Sequence, residues 1–264
     1  SPPRGSRLPL AQTGSAHHTT HHTPTMPRGI IKRSANPERK IQNKPYAYFN
    51  SSSGKTPKER ELRRLSNFWR LDQPLELWGL RWRTSEHAYQ AHAKVDREDW
   101  PRLAVGGDLD DIDKLAAFYP DQDTAWKKIN HWYGKGVYPM AGVVAKMAVN
   151  PAHNRKLQPP LRLLDEHTRL TRMALVPQKD LWGQILAAKA AASAVYAETL
   201  KDTGTLHLVE FDRGAKRRSL AGDPPFWTGL VDDDGTLHGE NFMGRCQMWL
   251  RAELARAEQA GENA

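Results

Sequence analysis

The stretch from Leu75 to Lys94 constrains this chain more than any other. Leu75-Glu76-Leu77-Trp78 and Leu80-Arg81-Trp82 alternate apolar and polar residues about Gly79, the pattern of a short hairpin. Thr84 or Ser85 then supplies an N-cap, and the spacing predicts a helix through Lys94. Further along, helices are predicted over Val137 to Val149, Leu161 to Leu175 (ended by Pro177), alanine-rich Leu181 to Leu200 (closed by Asp202-Thr203-Gly204) and Cys246 to Glu258. Order is expected to begin near Tyr46 to Phe49, and a strand is predicted at Leu206 to Phe211, with Arg213 to Gly222 a basic loop and residues 100–135 mixed. Helix dominates and the strands are few and short. The fold class is therefore α+β, a predominantly helical compact single domain over residues 45–258.

The rest of the composition bounds the class. The chain has 264 residues and is 39% hydrophobic, enough for a substantial core. A lone cysteine, Cys246, excludes an internal disulfide and an all-cysteine zinc site, which fits an intracellular, reducing compartment. No run of about 18 apolar residues is present to span a membrane as a helix. The first residues lack the charged-then-apolar order of a secretory signal, and Met26 is a candidate natural start.

Charge is unevenly placed. Of the net +9, residues 1–45 hold +7: Arg4, Arg7, Arg28, Lys32, Arg33, Arg39, Lys40 and Lys44 stand against Glu38 alone. Residues 1–44 are rich in Pro, Ser, Thr and His and poor in large apolar groups, so they are expected to be disordered, as are 259–264. A basic tail of this kind binds nucleic acid by releasing counterions. The His-rich run between His17 and His22 has no acid or cysteine to complete a metal site.

Three groups of residues stand out as candidates for chemistry. Glu86 falls in the first turn of its helix, where unpaired N–H groups and the helix dipole favour an ionised carboxylate. Glutamate is also common there for stability alone. Lys189 lies in Ile185-Leu186-Ala187-Ala188-Lys189-Ala190, where loss of hydration would lower its pKa and make it nucleophilic. The alternative is a surface lysine snorkelling from an alanine helix. Trp227, after Asp223-Pro224-Pro225-Phe226, is suited to stack on a base, and Gly239 and Gly244 about Asn241 suggest backbone passing close to a ligand. The alternative is a tight loop with a core tryptophan. Neither phosphate-loop nor dinucleotide-binding glycine patterns occur, nor do His-Glu-x-x-His or Cys-x-x-Cys. No cofactor or metal is expected.

In this order, Phe49, Leu65-Ser66-Asn67-Phe68, Trp78-Gly79-Leu80-Arg81-Trp82-Arg83-Thr84-Ser85-Glu86-His87-x-x-Gln90-Ala91, Lys189, Leu208-Val209-Glu210, Phe226-Trp227 and Gly239-x-Asn241-x-x-Gly244 resemble the NADAR (YbiA-like) superfamily. The resemblance covers Tyr46 to Leu254. It implies a compact, mostly helical domain and N-glycosidase chemistry on ribose-bearing nucleotides. The family activities are cleavage of early riboflavin-pathway intermediates and removal of ADP-ribose from modified guanine in nucleic acid. It implies catalytic roles for Glu86, Lys189 and Asp223, and substrate-binding roles for Phe49, Asn67, Phe68, Arg81, Arg83, Trp227, Asn241 and Gly244, with Arg245 a further phosphate candidate. The sequence departs from the family pattern in two places. Lys94 stands one residue later than the family lysine, and Asp223 stands one residue further from its tryptophan, with the following glycine lost. Residues 116–138 look like an insertion. The expected partner is ADP-ribose-bearing nucleic acid, DNA before RNA, or a small ribosyl nucleotide. A non-catalytic reader of ADP-ribose or nucleic acid is the alternative class.

Overall fold

The computed structural model describes residues 39–40, 45–49, 61–119, 121, 123–124, 127 and 140–262. Most of the N-terminal basic segment, the His17–His22 run, the greater part of 116–138 and the last two residues lie outside the described residues. Within 37–264 the architecture is α+β.

The hairpin forms as the alternation predicts. Strands β3 (Leu75–Leu77) and β4 (Leu80–Trp82) pair antiparallel, Leu77 opposite Leu80. Trp78 and Gly79 both have positive φ, the two-residue turn whose twist matches a hairpin. Helix α1 (Ser85–Lys94) follows at once, its N-cap Thr84 accepting from the His87 N–H.

Two other small sheets complete the β structure. Strand β1 (Arg39–Lys40) pairs with β7 (Thr236–His238), which pairs with β6 (Leu230–Val231). Arg39 and Lys40 belong to the 1–44 segment, and their pairing needs only backbone hydrogen bonds, which composition does not report. Strands β2 (Tyr46–Phe49) and β5 (His207–Glu210) pair in parallel, Phe49 opposite Glu210. Tyr48 joins the two sheets, its hydroxyl donating to Val231 O and accepting from Val231 N.

The helices wrap these strands. Short helices α2 (Trp100–Leu103), α3 (Gly142–Ala148) and α4 (Pro151–Asn154) precede α5 (Glu166–Leu175). Helices α6 (Gln178–Ala192) and α7 (Ala194–Asp202) divide the span expected to be one helix. Ser193 leaves helical backbone and caps α7 by accepting from Tyr196 N, a local bond that competes with continuing the helix. Helix α5 starts four residues later than its apolar run, at N-cap Asp165, because Leu163 and Leu164 pair with Val95 and Lys94 instead. The basic segment after Arg213 is a short helix, α8 (Ala215–Leu220), rather than a loop. Helix α9 (Phe242–Glu262) closes the domain and packs on β5, α6 and α7.

Among the described residues the larger of two apolar clusters holds Phe49, Leu65, Trp82, Trp182, Tyr196 and Leu208, all buried, and a smaller one holds Val209, Val231 and Leu237. Burial of side chains of this size contributes roughly 1.5–3 kcal/mol each. Helix α5 is the exception. It buries no residue, and Arg172 ties it down by donating to His92 O and Val95 O at the end of α1. Among the described residues no helix is long and apolar enough to cross a membrane.

Candidate active site

A cavity of about 570 Å³ opens between α1, α3, α5 and the loops after β5 and before α9. Helix α1 supplies a full stripe of it: Glu86, Tyr89, Gln90, Ala93 and Lys94 recur at the three- and four-residue steps of one helical face. His87, on the other face, locks the first turn. Its Nε2 lies 3.1 Å from Leu109 O, a pure acceptor, so Nε2 carries the proton and Nδ1 accepts from the Thr84 hydroxyl at 2.8 Å. Burial pushes the ring's pKa down to about 4, which keeps it neutral.

Glu86 is 6% exposed. Burial raises its pKa, while a 2.7 Å hydrogen bond from Gln90 Nε2 and the charges of Lys146 and Lys94 oppose the rise. Its backbone N–H donates to Asn67 O, which fastens the Ser66-Asn67-Phe68 turn to the start of the helix. Asn67 and Phe68 line the cavity through that attachment. Helix α3 touches α1 at Gly142, where a Cβ would stand 2.8 Å from both Glu86 Cβ and Phe68 Cα. One turn on, Lys146 lines the cavity with its ammonium 5.2 Å from the centre of the Phe68 ring.

Strand β5 delivers a second carboxylate. Glu210, its last residue, lines the cavity and is 9% exposed. Burial and the charge of Glu86 push its pKa up to about 8, against the pull of Lys146 and Lys189. Asn241 and Gly244 set its position from outside the cavity. Asn241, at φ +48, accepts from Glu210 N through Oδ1 and donates to Leu208 O through Nδ2. At Gly244 a Cβ would stand 2.2 Å from Leu208 O, so only glycine lets α9 approach the strand this closely.

Aromatic rings form one wall. Tyr89 stacks on Trp182 at 4.8 Å, and Trp227 meets both edge-on. Arg169 and Leu170 of α5, with Asp212, Arg218 and Thr228, line the remainder. Asp212 accepts from the Thr228 hydroxyl and pairs with Arg218. Buried atoms of five lining residues have no hydrogen-bond partner among the described residues: Asn67 Oδ1, Gln90 Oε1, Arg169 Nε, Gln178 Oε1 and Trp182 Nε1. Buried polar groups are costly to leave unpaired.

Of the residues singled out in the sequence, Glu86, Asn67, Phe68 and Trp227 come together on the cavity, and Lys94 joins them. The others lie elsewhere. Lys189 is wholly buried away from the cavity lining. Its ammonium donates to Arg64 O and Ser66 O and sits 4.2 Å from the Tyr196 ring centre, and burial pulls its pKa down to about 7. Asp223 is exposed, and Asp212 takes the cavity position near Trp227 and Thr228. Phe49 is core, Arg81 is exposed, and Arg83 pairs with Asp110 and Asp111. Arg245 lies across the Phe242 ring, off the lining. Lys146, Tyr89 and Trp182 were not singled out, and Glu210 stood only within the Leu208-Val209-Glu210 motif, with no role given to it. The stripe through Tyr89 and Lys94 is readable from helical spacing, whereas Glu210 and Lys146 reach the cavity only through tertiary packing.

Among the described residues no group of three or more His, Cys, Asp or Glu is placed to hold a metal ion. No family model matches the chain, and no curated protein matches it by sequence. Among solved structures it is similar to the NMR structure of the E. coli protein YbiA, at 19% identity and a TM-score of 0.39, over 86% of this chain and 95% of that one.

Proposed function

We propose that this protein is an N-glycosidase that hydrolyses a ribosyl C–N bond, removing ADP-ribose from ADP-ribosylated guanine in nucleic acid. The observation that carries the reading is Glu86, a buried carboxylate at a helix start, on a cavity that also holds an aromatic wall, Lys94 and Lys146. Breaking a ribosyl C–N bond builds positive charge on the sugar. A carboxylate beside the anomeric carbon stabilises that charge and takes a proton from the attacking water. Gln90 and the two lysines oppose the rise in pKa that burial imposes on Glu86.

The other lining groups suit the same substrate. Trp227, half-buried and backed by the Tyr89–Trp182 stack, offers a ring to a base that has left its stack. Asn67 and Gln178 line the cavity with side-chain amides, groups that both donate to and accept from base or ribose. Lys94, Lys146, Arg169 and Arg218 supply cations for phosphate. Lys189 contributes in this reading by holding the two carbonyls that lead into Asn67. The concentration of positive charge in residues 1–45 favours a nucleic-acid substrate. The second reading, a small phosphorylated ribosylamine of the riboflavin pathway, is favoured by the cavity volume, which suits a single nucleotide.

Product analysis by mass spectrometry, with an oligonucleotide carrying ADP-ribosyl-guanine, tests the proposal. The expected result is free ADP-ribose and restored guanine with the wild type, and neither with a folded Glu86→Gln variant. Near-normal turnover by the variant would overturn the role of Glu86. An oligonucleotide left intact, with the small ribosylamine cleaved, moves the reading to the second substrate. If both survive, the protein is a reader.

A further inference from the structure

We propose that Glu210 is the general acid of this reaction, giving its carboxyl proton to the departing base nitrogen while Glu86 takes a proton from water. The inference rests on the N-glycosidase reading and adds a second catalytic residue to it. Glu86 starts helix α1 and Glu210 ends strand β5, so the two carboxyls reach one cavity from different elements, each more than nine-tenths buried. Two buried carboxyl groups that share a cavity do not both stay ionised.

The surroundings decide which one holds the proton. Glu86 accepts a hydrogen bond from Gln90 and is the carboxyl on which the charges of Lys94 and Lys146 act together. No hydrogen bond among the described residues involves the Glu210 side chain. The charges acting on it are Lys146 and Lys189 in its favour, and Glu86 and Asp212 against. Glu210 is thus the protonated partner near neutral pH, as its raised pKa agrees. Its backbone is held by Asn241 Oδ1, which fixes the acid relative to the aromatic wall.

The atoms balance as follows. The C–N bond breaks and its electron pair goes to the base nitrogen, which receives the Glu210 proton. A water oxygen bonds to the anomeric carbon and its proton goes to Glu86. The products are the free base and the sugar hydroxyl. Proton exchange with solvent then returns Glu86 to carboxylate and Glu210 to acid, one water having been consumed.

The pH–rate profile of the wild type and of Glu210→Gln, on the guanine-linked oligonucleotide, provides the test. Wild-type activity is expected to fall as pH rises through about 8. Glu210→Gln should lose about 100-fold or more near pH 7 and show no such fall. A variant that retains the wild-type rate, or retains the alkaline fall, overturns the proposal while leaving the glycosidase reading intact. A wild type that releases no product overturns both. If Glu210→Gln does not fold, the wild type is compared on a ribosyl-pyridinium nucleotide, whose leaving group departs without a proton. Loss of the alkaline fall on that substrate supports the acid. The same fall on both substrates, or no turnover of the pyridinium, overturns it.

Discussion

At the scale of single residues, burial decides what the charged groups around this cavity can do. Glu210 is held protonated to about pH 8 in the fold but titrates near the ordinary 4.5 when unfolded. Between those values the folded state binds more protons than the unfolded one, so this residue makes stability fall as pH rises from about 4.5 to 8 and then level off. Glu210→Gln removes that dependence. Thermal melts should show the variant several degrees more stable than the wild type at pH 8 and equal to it near pH 4. Equal melting curves at both pH values would show that Glu210 is not held protonated. A site residue that costs stability is legible in a structure and poorly so in a sequence. Val209-Glu210 reads as the end of a strand whatever the strand end faces. The same limit applies to Lys189. Its alanine-rich setting shows that it lies near apolar surface, but not that two backbone carbonyls and a tyrosine ring occupy its ammonium. Asp223 and Asp212 both flank the Trp227 loop in sequence, and only the ion pair with Arg218 and the Thr228 bond show which one lies at the cavity.

At the scale of elements, the cavity depends on one close contact between helices. Gly142 lets α3 settle on α1 beside Glu86, and Lys146, four residues on, then faces the same space. Gly142→Ala would place a Cβ 2.8 Å from Glu86 Cβ and from the Phe68 backbone. Overpacking of this kind costs about 1–3 kcal/mol, which lowers Tm by roughly 2–12 °C in a domain of this size. The glutamate or the Phe68 backbone has to shift, and a displacement of about 1 Å can cost on the order of 100-fold in rate. Calorimetry and steady-state kinetics on Gly142→Ala should therefore register both losses. A variant with wild-type Tm and rate would show that the two helices have slack at this point. Elements were legible where the signal is local. The hairpin follows from alternation about Gly79, and the start of α1 follows from Thr84. They were illegible where tertiary partners override propensity. Leu163 and Leu164 leave the α5 pattern because the end of α1 offers them backbone partners. Ser193 interrupts an alanine-rich helix because its own cap competes with the helical bond.

At the scale of the whole molecule, charge is unevenly divided along the chain. The cavity holds its lysines and arginines next to Glu86, Glu210 and Asp212, so its field is mixed and local. Most of the net charge lies in residues 1–45, with +7 of the total +9. A polynucleotide is drawn to such a segment through its phosphates, while a single nucleotide makes too few contacts to gain from it. Neutralising Arg4, Arg7, Arg28, Lys32 and Arg33 to glutamine should therefore weaken binding of a single-stranded oligonucleotide. The slope of log K against log salt should fall in magnitude by up to about 3.5, since each lost phosphate contact removes roughly 0.7. Turnover of a mononucleotide substrate at saturation should stay unchanged, because the cavity residues are untouched. Fluorescence anisotropy across a salt series, with kinetics on the same protein, measures both quantities. An unaltered slope would place oligonucleotide recognition beyond residue 45, and the mixed charges around the cavity would then have to hold the strand themselves.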